Sequence, residues 1–141
     1  MTFPFDPTQG LVIVEAKIAG PTNNVVVHLA LDTGATNTFL DEALLAFAGY
    51  TPADATSQFN VLTASGTIRL LEVPVTSFMA LGQTRTSFPI QAHSFPPGTG
   101  HDGVLGLLGL DFLRGHVLTI DFIKGEITLD PGTPAGPGVT P

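Results

Sequence analysis

Hydrophobic and polar side chains alternate from residue 11 to residue 18, with Val12, Val14, Ala16 and Ile18 on one face and Glu15 and Lys17 on the other. A period of two predicts a strand with one buried face. Gly20-Pro21-Thr22-Asn23-Asn24 is dense in turn formers, and Val25-Val26-Val27-His28-Leu29-Ala30-Leu31 follows as a nearly unbroken apolar run. That run predicts a second strand, paired with the first as a hairpin and covered on both faces. Next come Asp32-Thr33-Gly34-Ala35-Thr36-Asn37 and the short apolar Thr38-Phe39-Leu40. Residues 41–49 then combine an acidic start, Ala and Leu filling and a terminal Gly, which predict a short helix.

Residues 59–62 and 67–71 flank Thr63-Ala64-Ser65-Gly66 and predict a hairpin with a polar tip. A long strand continues through Leu81, bent or at a sheet edge where Pro74 falls, because proline donates no ladder hydrogen bond. Gly82-Gln83 turns the chain into residues 84–92, and residues 94–101 read as a surface loop. Residues 103–115 read as a strand leading into a short helix, and a last hairpin, 117–122 with 126–129, turns at Lys124-Gly125. Strands at short spacing with one or two brief helices predict an all-β fold. Residues 1–130 are read as one domain. Residues 131–141, rich in Pro and Gly and without a charged side chain, are read as a disordered tail or the stub of a linker.

Composition narrows the function. The 141 residues include no Cys, which excludes a disulfide framework, a thiolate nucleophile and a Cys-ligated zinc. Five Lys and Arg against twelve Asp and Glu leave a charge of -7, which repels nucleic acid and anionic membrane surfaces. No apolar run approaches the roughly 18 residues of a membrane span, and the start Met1-Thr2-Phe3-Pro4-Phe5-Asp6 lacks the build of a signal peptide. The chain is therefore expected to be soluble and cytoplasmic. Charged residues make up 12 % of the chain, about half the usual ~25 %, which leaves little charged surface for a monomer.

Few residues carry chemistry. Gly98-Thr99-Gly100-His101-Asp102-Gly103 matches G-x-G-x-x-G but follows Pro-Pro and does not link a strand to a helix, so it reads as loop. His28, His93, His101 and His116 show no ligand spacing, and neither a metal nor a cofactor is expected. Ser65 lies in no G-x-S-x-G elbow and is no nucleophile. Asp32 is different, because a carboxylate at the end of a buried strand is costly unless it is hydrogen-bonded or paired. Thr33 supplies a hydroxyl and Gly34 a backbone open to close approach. Locally, an Asp before Thr-Gly is either a strand-end turn residue or a carboxylate held for chemistry.

Leu29-Ala30-Leu31-Asp32-Thr33-Gly34-Ala35, followed some seventy residues later by Val104-Leu105-Gly106-Leu107-Leu108-Gly109-Leu110-Asp111-Phe112-Leu113, resembles the retropepsin-like aspartic proteases. The order of parts agrees over about 120 residues. The closing Leu110-Asp111-Phe112-Leu113-Arg114-Gly115-His116 is more similar to cellular relatives, the DNA-damage-inducible eukaryotic and bacterial retropepsin-like proteins, than to retroviral enzymes. Where retroviral members carry an acidic residue and an Arg that pair, this chain has Thr36-Asn37 and Leu110, and its hairpin at 59–71 holds no Tyr.

The resemblance implies a closed acid-protease barrel and an aspartic endopeptidase with Asp32 as its catalytic residue. It implies that Thr33, Gly34 and Ala35 support the site, Thr33 by a hydrogen bond across a dimer axis and Gly34 through its carbonyl. Ala64, Ser65 and Gly66 become the tip of a flap over a polypeptide substrate bound as an extended strand. No other Asp begins an Asp-Thr-Gly or Asp-Ser-Gly, so the resemblance implies a homodimer that supplies two copies of Asp32. Two alternatives stay open: a dimeric peptide-binding module with little turnover, and a monomeric β domain in which Asp32 is only a turn residue.

Overall fold

The computed structural model of the chain describes residues 1–95 and 104–132. The G-x-G-x-x-G match at 98–103, with His101, and the Pro/Gly-rich stretch past 132 lie outside them. The alternating segment forms β2 (Ile13–Ala19), with Val14, Ala16 and Ile18 buried, and pairs antiparallel with β3 (Asn24–Leu31). A short β4 (Phe39–Asp41) leads into α1 (Glu42–Ala48), where the Asp41 side chain accepts from the Ala43 N–H and Gly49 ends the helix at φ 104°. Such ends are what Asp and Gly provide: a side-chain acceptor for a free helix N–H, and a left-handed residue without a Cβ.

Next come β5 (Ser57–Thr63), β6 (Gly66–Ala80), β7 (Gln83–His93), β8 (Val104–Leu108), α2 (Leu110–Leu113), β9 (His116–Asp121) and β10 (Glu126–Pro131). Strands β2, β3, β8, β4, β7 and β6 neighbour one another in that order, and β6 pairs with β2, so the sheet closes into a ring with β5 added outside β6. The expected all-β fold with two short helices is thus present. A separate sheet orders β10 between β9 and a two-residue β1 (Phe3–Pro4), a pairing too short for any periodicity to signal. In the β9–β10 turn, the Asp121 carboxylate accepts from the Lys124 and Ile123 N–H groups, which hold it below the usual carboxylate range.

One expectation is corrected. Strand β3 is covered on both faces only at its end, where Leu29 and Ala30 are both buried; before that Val25 and Val27 are buried, whereas Val26 is 53 % exposed and His28 is exposed. The outer face of β3 is open to solvent at Val26 and His28, and β-branched residues suit a pleated surface on either side. The inner faces pack as one core, with Phe78, Phe88 and Phe112 ring centroids 5.1 to 5.9 Å apart. Arg85 of β7 covers this cluster, its guanidinium 4.8 Å from the Phe112 ring centroid and donating to the Phe112 carbonyl at 2.8 Å. Helix α2 is thereby fixed to the core.

Pro74 sits inside β6 at a point where β5 has ended, at Glu72, and β2 has not begun, at Ser77. Only β7 flanks it, with Pro89 directly opposite, so its missing N–H leaves no gap in a ladder. Tyr50 bridges the adjoining space. Its buried hydroxyl accepts from the Thr76 N–H at 2.9 Å and donates to the Ala19 carbonyl at 2.7 Å, joining β6 to β2 where strand pairing lapses.

Strand β8 runs between β3 and β4, parallel to the first and antiparallel to the second. Gly106 makes this possible, because a Cβ there would overlap the Phe39 carbonyl and press on the Leu29 side chain. Two outcomes follow. Tyr50→Phe leaves the Thr76 N–H and the Ala19 carbonyl without their partner and should lower stability by about 1–3 kcal/mol, seen as a lower urea midpoint with an unchanged slope. Gly106→Ala should cost about 1–3 kcal/mol in the same measurement, through overpacking against backbone that cannot yield.

Candidate active site

Strands β3 and β4 are the two neighbours of β8, so the chain between them, residues 32–38, must cross two strand spacings, roughly 9–10 Å. It does so as a loop over the end of β8. The Asp32 N–H donates to the Leu108 carbonyl at 3.0 Å and so extends the β3–β8 ladder by one residue. The Asp32 carbonyl accepts from the Ala35 N–H at 3.2 Å, which closes a tight turn. Within that turn the Gly34 N–H donates to Asp32 Oδ1 at 2.8 Å. Asp32 is thus a strand-end turn residue whose Oδ1 is engaged within its own turn.

The two carboxylate oxygens differ. Oδ1 is engaged by Gly34, while Oδ2 has no hydrogen bond among the described residues and is not enclosed, since no buried side-chain oxygen there lacks a partner. Asp32 is half-buried, whereas Thr33 and Gly34 are exposed. A Cβ at Gly34 would lie 3.1 Å from Oδ1, so a glycine lets the backbone close over the carboxylate without crowding it. Ala35 is half-buried and offers its carbonyl to the Leu110 N–H at 2.8 Å. Asp32, Thr33, Gly34 and Ala35 therefore form one compact turn.

The far end of the loop is fastened by Thr38 and by Asp111, a helix residue that the sequence does not mark as part of the site. Thr38 is fully buried. Its N–H and hydroxyl donate to Asp111 Oδ2 and Oδ1 at 2.9 and 2.7 Å, and its hydroxyl oxygen accepts from the Gly109 N–H at 3.2 Å. Its carbonyl accepts from the Gln91 N–H at 3.0 Å, so one residue ties together the loop, α2, β8 and β7. Gly109 allows the approach, since a Cβ there would overlap the Asn37 carbonyl. At the positions where the sequence lacks an acid and an Arg, residues 35–36 and 110–111 are joined through backbone: the Leu110 N–H donates to the Ala35 carbonyl at 2.8 Å and the Asp111 N–H to the Thr36 carbonyl at 3.2 Å. A carboxylate in the first turn of a helix otherwise built of Leu and Phe was the available signal for Asp111.

Ala64, Ser65 and Gly66 lie on a different segment, at the exposed tip of the β5–β6 hairpin. The tip is shaped by Gly66 at φ 122° and by the Thr63 hydroxyl, which donates to the Gly66 carbonyl at 2.7 Å. Among the described residues no hydrogen bond joins it to the Asp32 turn. Leu62, beside the tip, is 82 % exposed, an apolar side chain held out at the end of a two-stranded arm. The root of the arm is anchored by Arg69, which donates to Glu42 of α1 at 2.9 Å, while the Ser94 hydroxyl donates to the other Glu42 oxygen. An ion pair this exposed contributes at most about 1 kcal/mol.

Among the described residues no three His, Asp or Glu side chains gather to hold a metal ion, and no helix is long and apolar enough to cross a membrane. A half-open carboxylate on a braced turn can accept a proton from a water or, when protonated, donate to an oxygen. Residues 14–112, more than half of the chain, match the family model described as aspartyl protease. No curated protein matches. Of solved structures, 184 chains match. They include the crystal structure of a retropepsin-like aspartic protease from Rickettsia conorii, 19 % identical, with 90 % of this chain and 97 % of that one aligned at a TM-score of 0.65. The match over residues 14–112 and the shared ring of strands place this chain in the aspartyl protease family, on a retropepsin-like fold.

Proposed function

We propose that the protein is an aspartic endopeptidase that works as a homodimer, with Asp32 of each subunit forming the catalytic pair. The observation that carries this reading is the Asp32 carboxylate itself, one oxygen fixed by the Gly34 N–H and the other open, on a turn that reaches the surface. A single such carboxylate is half of what peptide hydrolysis by this chemistry needs. None of the other Asp residues stands in a comparable turn sequence, so a second copy of residues 32–34 is the available source. A two-fold arrangement, the commonest closed form of small oligomers, brings the same turn from both subunits to one axis. The exposed Thr33 hydroxyl, without a hydrogen bond among the described residues, is then free to bond across that axis.

In this reading the protease domain is residues 1–130, and the substrate is a polypeptide lying in extended form between the two Asp32 turns and the β5–β6 arms. Its backbone bonds to the Gly34 carbonyl and to residues 64–66, and apolar side chains fill pockets of Leu, Val and Phe. Two carboxylates so close share one proton, because like charges at that distance do not both ionise. The ionised one takes a proton from a water, whose oxygen attacks the scissile carbonyl carbon. The protonated one hydrogen-bonds to the carbonyl oxygen as it gains charge. When the tetrahedral intermediate collapses, the C–N bond breaks and the amine leaves with a proton delivered from the pair.

Both protonation states are required at once, so activity should peak at mildly acidic pH and fall on either side, measured as cleavage of an unstructured polypeptide. Asp32→Asn should lower cleavage by about 10²- to 10⁴-fold or more, with the molecular mass by light scattering still that of a dimer. Dilution below the dimer dissociation constant should lower the activity per chain. Cleavage by Asp32→Asn equal to the wild type would overturn the reading. Peptide binding without cleavage by the wild type would favour a binding module on the same fold.

A further inference from the structure

We propose that Asp111 is a positioning residue for Asp32, acting through Thr38; this rests on the reading of Asp32 as the catalytic group. Asp111 supplies the Asp32 loop with three hydrogen bonds, from its N–H to the Thr36 carbonyl and from Thr38 to each of its carboxylate oxygens. Two donors from one residue on two oxygens fix rotation as well as distance, as single contacts do not. Thr38 is fully buried and Asp111 half-buried, so the Thr38 side of the pairing is shielded from water. The loop is thus clamped at one end by the β3–β8 ladder at Asp32 and at the other by Asp111, with the Gly34 N–H and Asp32 Oδ1 between the clamps.

Stability alone does not explain a carboxylate at this place. Among the described residues no cation pairs with Asp111; the only ion pair there is Arg69 with Glu42. The charged and titratable groups next to α2, Arg85, Arg114 and His116, stand at its carboxyl end, where Arg114 caps the helix and Arg85 donates to the Phe112 carbonyl and approaches the His116 ring within 3.2 Å. A charge that is half-buried without a counter-ion is commonly no more stabilising than an apolar side chain of similar size, and Leu110, Phe112 and Leu113 surround it in sequence. What the carboxylate adds is geometry: acceptors only, on both oxygens, for the two donors of Thr38. An amide keeps one acceptor oxygen and replaces the other by an NH₂ donor, so one of the two Thr38 donors loses its acceptor.

The test compares wild type, Asp32→Asn, Asp111→Asn, Thr38→Val and Thr38→Ser for kcat, KM and pH profile of peptide cleavage. Circular dichroism and mass confirm the folded dimer, and hydrogen exchange is followed at the Gly34 and Ala35 amides. Asp111→Asn and Thr38→Val should each lower kcat roughly 10- to 100-fold with KM little changed, displace the limbs of the pH profile and speed exchange at both amides. Thr38→Ser keeps both donors and should behave as the wild type. Wild-type kcat in Asp111→Asn and Thr38→Val, with Asp32→Asn inactive, overturns the proposal while leaving Asp32 in its role. So does a loss of kcat with no change in amide exchange, which places the effect elsewhere. Cleavage by Asp32→Asn at the wild-type rate overturns both.

Discussion

The placing of β8 between β3 and β4 is the constraint on which the rest of the molecule turns. Two strands that follow each other in sequence are held apart by a third from much later in the chain, and the segment joining them must pass over that strand's end. Such a crossing exposes polar backbone groups at a place where the sheet is otherwise saturated. Each has to find a partner from β8, α2 or its own turn. Glycine at 106 and 109 lets the chains approach within backbone contact, and Thr38 and Asp111 satisfy the groups that backbone alone does not reach. The Asp32 turn is therefore a product of topology.

A continuous line of support runs from the core to this turn. The Phe78, Phe88 and Phe112 cluster seats α2 from below, Arg85 covers its carboxyl end, and the first turn of the same helix holds the loop. A helix of four residues has little stability of its own, since forming a first turn is unfavourable. It persists here because both its ends and its apolar side are engaged. The β5–β6 arm has no comparable bracing beyond its root. Among the described residues, the hydrogen bonds that reach other elements gather around the Asp32 loop, whereas those of the 63–66 tip stay within the hairpin.

Much of this was legible in the order of residues. Alternation marked β2, the Asp41 and Gly49 signals bounded α1, turn formers located the hairpins, and Pro74 fell where β6 has a strand on one side only. Asp32-Thr33-Gly34 stood out because a carboxylate ending an apolar run needs a reason. Local pattern could not report what depends on distant partners. The bond between Thr38 and Asp111 spans 73 positions, and Tyr50 completes a gap between strands that no periodicity describes. Strand β3 was read as doubly covered because an unbroken apolar run is compatible with a strand whose outer side chains face water.

The threading of β8 also sets the order in which the molecule can be assembled. Its pairing with β3 joins His28 to Val104, and its pairing with β4 joins Leu40 to Gly106, contacts that ask for the closure of long loops and so come slowly. During synthesis, Asp32 emerges long before the residues that shape the turn around it. A nascent chain that ends before residue 104 contains the Asp-Thr-Gly sequence but neither Leu108, which extends its ladder, nor Asp111, which fastens its loop. The Asp32 turn is organised only once residues 108–111 have been made.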